Sequence, residues 1–145
     1  MASKHLNFWS VAIIIFLLDR ITKLLVLNYI PLNSSIQVLP FFSLTHILNT
    51  GTAFGLLKNA QWFFLIFASA VSAFIIVKYQ TFQPKIQLLS ALVLGGALGN
   101  LFDRLFYGAV IDFINFSFWP AFNIADSAIS IAVVLLLYCE SKRNI

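Results

Sequence analysis

Asp112 and Asp126 are the side chains best suited to chemistry in this sequence, because each lies at the rim of an apolar segment with no basic residue within helical reach along the chain. Two carboxylates held close together do not both ionise easily, so one pKa rises and the pair shares a proton. Such a pair serves as base and acid on one water molecule and can hydrolyse an amide without a metal or a nucleophilic side chain. Other chemistries have no signature here: HExxH, clustered Cys and His, GxSxG and a glycine-rich phosphate loop are all missing from the sequence. No metal and no cofactor are expected.

Asp19 and Asp103 also fall within apolar stretches, and only Glu140 sits in an ordinary polar tail. A charge near a bilayer centre costs on the order of 2.5 to 3.5 kcal/mol on insertion scales, so each such residue calls for a function or a partner. Asp19 and Lys23 are spaced to pair across one helical turn, acid first. Arg104 directly follows Asp103, and Gly96, Asn100, Asp103 and Arg104 share one broad helical stripe. Asn123, Asp126, Ser127 and Ser130 form a similar stripe further on. For the Asp19–Lys23 pair and for Asp103 the ordinary reading is a clamp or anchor rather than direct chemistry. Gly95 and Gly99 read as a small-xxx-small packing face, His46 as a surface or interface residue, and Cys139 as a small buried hydrophobe.

The elements that must position these residues are membrane helices. Of the 145 residues, 61% are apolar and 10% charged, and the mean hydropathy is +0.94. Such a chain belongs in lipid, and its length accommodates about four spans of roughly 20 residues in one domain covering residues 1–145. The pI near 9.5 reflects dispersed Lys and Arg without interleaved stacking aromatics, so no nucleic-acid partner is expected.

Spans are expected over residues 8–30, stopped by Pro31, and 60–77, ended by Lys78. A third runs from Pro84 and Lys85 to 106, and a fourth from Pro120 or Asn123 to 138. Lys4, Lys78, Lys85, Lys142 and Arg143 fall on one side and Lys58 on the other, which places both termini in the cytoplasm. Residues 33–58 alternate polar and apolar and read as a strand-and-turn element on the outer face, while residues 108–119 read as a shorter interfacial connection. The fold class is thus an all-α membrane protein, a four-transmembrane-helix bundle with a small extracytoplasmic β-strand element. Its buried polar residues gather in the outer half of the bilayer.

The blocks LLDRITK (17–23), NTGTAF (49–54), GGALGNLFDR (95–104), GAVIDF (108–113) and FNIADSAI (122–129), in this order, closely resemble lipoprotein signal peptidase, or signal peptidase II. That resemblance implies an intramembrane aspartyl endopeptidase of the inner membrane, with membrane lipids around it. It would cut a prolipoprotein just before a diacylglyceryl-modified cysteine. By motif the catalytic pair would be Asp112 and Asp126. Asp19, Lys23, Asn49, Gly51, Asn100, Asp103, Arg104 and Asn123 would support the pair or contact substrate. The strand element would form a cradle over the site, with the connection between the third and fourth spans as a lid; a monomer is expected. The rival reading is a small proton- or ion-coupled transporter, since intramembrane carboxylates beside Lys or Arg also mark ion pathways. Such proteins tend to carry inverted repeats or broken helices, and this sequence shows neither.

Overall fold

A computed structural model describes residues 2–51 and 61–143. The second half of NTGTAF and Lys58 lie outside the described residues. The order of elements is α1 (Ala2–Tyr29), β1 (Ser35–Leu39), β2 (Phe42–Asn49), α2 (Gln61–Lys78), a 3-10 turn (Tyr79–Thr81), α3 (Pro84–Phe106), β3 (Val110–Phe116), β4 (Trp119–Phe122) and α4 (Ile124–Arg143).

Local chemistry sets the boundaries. Pro31 follows α1 and disfavours helix in the residue before it, and Pro84 opens α3, where its missing N–H costs nothing. Gly108, at φ 73°, takes the left-handed conformation that turns the chain from α3 into β3. Asn123 caps α4, its Oδ1 accepting the Asp126 N–H at 2.9 Å.

Among the described residues, three helices are long and apolar enough to cross a membrane: the stretches Gln61–Thr81, Pro84–Phe106 and Ile124–Lys142. Of these α3 is the axis, with 61% of its apolar window buried against 17% for the other two. Its glycines permit that position. A methyl group at Gly95 would lie 2.5 Å from the Ala12 carbonyl oxygen of α1, and one at Gly96 would lie 2.6 Å from the Ala125 carbonyl oxygen of α4. Both neighbours therefore pack against α3 at backbone distance. The small-xxx-small reading holds for Gly95 and Gly99, and Gly96 extends it to a second partner.

The strand content exceeds the expectation. The four strands among the described residues form one antiparallel sheet in the order β1-β2-β3-β4, with Asn49 opposite Val110, Ile47 opposite Asp112 and Phe42 opposite Phe116. The fold is thus mostly helical with a small antiparallel sheet, in which β1 and β2 are the expected strand element and β3 and β4 extend it. Residues 108–119, expected as an interfacial connection and lid, are instead bonded to β2 as a central strand and the start of its hairpin. Val110, Ile111 and Phe113 are buried, and the β-branched and aromatic character of this segment suits a pleated, half-buried surface. His46 also departs from expectation: it is buried, with Nδ1 2.8 Å from the Ile30 carbonyl oxygen just beyond α1.

Candidate active site

Beneath the sheet a cluster of four charges is closed off from solvent. Asp19, Lys23 and Asp103 are fully buried and Arg20 nearly so. Lys23 Nζ donates to Asp19 Oδ2 at 2.8 Å, Asp103 Oδ2 at 2.6 Å and Asn100 Oδ1 at 3.0 Å, which uses all three of its protons. Arg20 donates to Asp19 at 3.2 Å and to Asp103, and its guanidinium carbon lies 4.7 Å from the Phe102 ring centroid. Two acids face two bases, so the cluster is neutral. A buried ion group survives only with such full pairing.

The two acids have a further task. Asp103 Oδ2 accepts the Ile111 N–H at 3.1 Å, and Asp19 Oδ1 accepts the Ala125 N–H at 3.0 Å. Ile111 immediately precedes Asp112, and Ala125 immediately precedes Asp126. Each structural aspartate thereby holds the backbone beside one of the pair singled out in the sequence, and Lys23 ties the two holders together.

Asp112 projects from β3 and Asp126 from the first turn of α4, and both line one cavity of about 630 Å³. Asn123 Nδ2 donates to Asp112 Oδ1 at 2.8 Å, and Asn49 Nδ2 donates to Asp112 Oδ2 at 2.9 Å. Asn100 Nδ2 donates to Asp126 Oδ1 at 2.7 Å, while Asn100 Oδ1 accepts from Asn123 at 3.2 Å. The Asn100–Asn123 amides thus link the carboxylates through one hydrogen-bonded chain that begins at Lys23. Burial pushes the Asp112 carboxyl up to about 7, and the Asp126 charge adds to that rise, against the lowering effect of the bonds from Asn49 and Asn123 and of the Lys23 charge.

Asn49, Gly51, Arg104, Asp112 and Asp126 line the cavity, and Asp19, Lys23, Asn100, Asp103 and Asn123 join them through the hydrogen bonds just described. Gly51 lines the cavity and donates its N–H to Asn49 Oδ1 at 3.0 Å, which fixes the amide that reaches Asp112. Asp103 serves as a hydrogen-bond anchor, through the Ile111 N–H, and its ion-pair partners are Arg20 and Lys23 rather than the adjacent Arg104. Arg104 lines the cavity instead, with its guanidinium carbon 5.3 Å from the Phe64 ring centroid and no ion pair among the described residues. Arg20 went unrecognised in the sequence, although it sits in the same block as Asp19; only the approach of α1 to α3 identifies Asp103 as its partner. Ser130 also lines the cavity, as its stripe with Asp126 foreshadows.

Residues 11–141 match the family described as signal peptidase (SPase) II. The chain is 43% identical over 135 residues to the lipoprotein signal peptidase of Thermodesulfovibrio yellowstonii, an alignment spanning 90% of this chain and 91% of that protein. It is 44% identical over 150 residues to that of Alteromonas mediterranea, across 96% and 82% of the two chains. Among solved structures it superposes on a bacterial membrane enzyme with a TM-score of 0.87 at 29% identity, covering 99% of this chain and 90% of the other.

Proposed function

The chain belongs to the signal peptidase II family, and from that premise we propose that Asp112 and Asp126 are the catalytic pair with which it removes signal peptides from lipoproteins. The observation that carries this assignment is their shared cavity, where a single amide chain through Asn100 and Asn123 orients both carboxylates. Membership of the family gives the transporter reading no support.

In the proposed cycle the pair carries one proton. The ionised carboxylate takes a proton from a water molecule as the oxygen attacks the scissile carbonyl carbon, and the protonated one donates to the carbonyl oxygen. A tetrahedral gem-diol results. Its collapse breaks the C–N bond, a proton passes to the departing amine, and the pair returns to its single-proton state. The proton belongs to the pair rather than to either residue. Asn49, Asn100 and Asn123 hold the carboxylates in place, Asp19, Lys23 and Asp103 hold the backbones beside them, and Gly51 and Arg104 meet the substrate. That substrate is a prolipoprotein with a diacylglyceryl cysteine after the scissile bond. Incubating purified protein with such a prolipoprotein should yield, by mass spectrometry, one cut just before the lipidated cysteine; a cut elsewhere, or none, rejects this substrate assignment.

An alkaline limit on activity follows from Asp112. The pair keeps its one proton until about pH 7, the value to which burial first and the neighbouring Asp126 second raise the Asp112 carboxyl. Above that point both carboxylates are charged and no acid remains for the carbonyl oxygen. We expect kcat/KM to fall about tenfold per pH unit above an inflection near 7. A profile flat to pH 9 would remove the shared proton from the mechanism.

The same reading makes α1 the fourth membrane span. Asp19, Arg20 and Lys23 face inward, while Ile13, Leu17, Ile21, Leu24 and Leu25 are about half exposed on the outside, the inverse of a soluble helix. With Lys78 and Lys85 on the cytoplasmic side of the inner membrane, both termini are cytoplasmic and the site lies near the outer leaflet. Cysteines placed at Phe118 and Gln80 should label oppositely with a membrane-impermeant thiol reagent on intact cells, Phe118→Cys reacting and Gln80→Cys not. The reverse pattern overturns the orientation.

A further inference from the structure

We propose that β4 is a docking edge, and that the polypeptide following the lipidated cysteine of the substrate pairs with it as a fifth, antiparallel strand. The proposal rests on the reading of Asp112 and Asp126 as the catalytic pair.

The sheet order leaves β4 at one edge, and among the described residues no strand pairs with its outer side. Pro120 agrees with that position, because a residue without an N–H is tolerated in a sheet chiefly at an edge, where no ladder bond is lost. The same proline discourages indiscriminate pairing between copies of the protein. Pro120, Ala121 and Phe122 are each only partly buried. Ala121 and Phe122 border the cavity that holds both carboxylates, so this edge is continuous with the candidate active site.

Register gives the edge a direction. Phe122 lies opposite Ile114, two residues beyond Asp112 on β3, and Asp126 follows Phe122 by four residues on α4. The C-terminal end of β4 is therefore the end at the carboxylates, and its N-terminal end is the turn at Ser117 and Phe118. A substrate whose signal peptide lies in the bilayer and whose mature part leaves it must run from the carboxylates towards that turn, antiparallel to β4. At about 3.3 Å per residue, the four residues of β4 match roughly four residues of substrate. Cleavage demands an extended, exposed amide, and main-chain pairing with an edge supplies one without dictating side chains. That suits an enzyme whose substrates share a lipidated cysteine and then diverge.

The test uses synthetic prolipoprotein peptides with a diacylglyceryl cysteine, each carrying one N-methylated amide among the four residues after it. In an antiparallel pair successive residues alternate between facing the neighbour and facing away. We expect kcat/KM to fall about tenfold at positions two apart and to change less than about twofold at those between. Replacing the same amides by esters, which removes the N–H without adding bulk, should reproduce the alternation. A flat response, or one that merely decays with distance from the cysteine, overturns strand pairing. The unmodified peptide with Asp126→Asn enzyme separates the two readings. Cleavage by that variant at the parent rate removes the catalytic assignment whatever the methylation pattern, and an inactive variant with a flat scan removes the docking edge alone.

Discussion

Asp112→Asn and Asp126→Asn should each lower cleavage of a diacylglyceryl-modified prolipoprotein by about 10³-fold or more, the scale set by loss of general acid–base catalysis. Asparagine keeps the shape of the side chain and much of its bonding to Asn49, Asn100 and Asn123, but it can neither take a proton from water nor give one to a carbonyl oxygen. The double variant should be scarcely slower than either single one, because residues that act as a unit cannot be removed twice. The measurement is single-turnover cleavage by purified protein free of the host enzyme, with product identified by mass. Turnover within tenfold of the parent by either variant would dissolve the pair as the catalytic unit.

Stability should move the other way for Asp112. A carboxyl whose folded pKa is raised, here from 3.8 to about 7, contributes stability that is fully present below the unfolded value and is lost as pH climbs through the folded one. The parent therefore carries an ionised, buried Asp112 at pH 8 that Asp112→Asn lacks. The variant should melt no lower than the parent at pH 8, which separates lost chemistry from lost folding.

Lys23→Met should have the largest structural effect, about 3 to 5 kcal/mol of destabilisation, because it leaves buried carboxylates short of one countercharge. Arg20 remains, but one guanidinium does not neutralise both Asp19 and Asp103. The consequence reaches the proposed catalytic pair through two backbone bonds, since Asp103 and Asp19 hold the N–H groups of Ile111 and Ala125 beside Asp112 and Asp126. Asn100 also loses one of the two donors that fix its oxygen, keeping only Asn123. Thermal unfolding in detergent should show the loss, and any folded fraction should cleave slowly. Replacing Asp19 and Lys23 together by apolar residues should restore melting temperature far more than activity, because packing can be recovered while the bond to Ala125 cannot. If Lys23→Met melts and cleaves like the parent, the charge cluster neither clamps the helices nor positions the site.

Much of this molecule is legible in its sequence because the bilayer is a severe solvent. A charge among apolar residues is so costly that Asp19, Lys23, Asp103, Asp112 and Asp126 identify themselves, and helix periodicity alone pairs Asp19 with Lys23, as found at 2.8 Å. Helix boundaries follow from Pro31, Pro84 and the Gly108 turn, which act within a few residues. What depends on distant segments meeting was settled only in three dimensions. The partners of Asp103 are Arg20 and Lys23, some 80 positions earlier, not the adjacent Arg104, because consecutive residues on a helix point about 100° apart and α1 supplies cations to the face that Asp103 occupies. Residues 108–119 read as a connection on their own and become strand because β2 offers a ladder in register, and a strand is defined by its neighbour. The bond from Asp19 to Ala125 spans 106 positions, and no local pattern encodes it. The types of the proposed reacting groups were thus decided by the cost of burying charge, which each residue bears alone, whereas their orientation was decided by hydrogen bonds that exist only once α1, α3, α4 and β3 are packed.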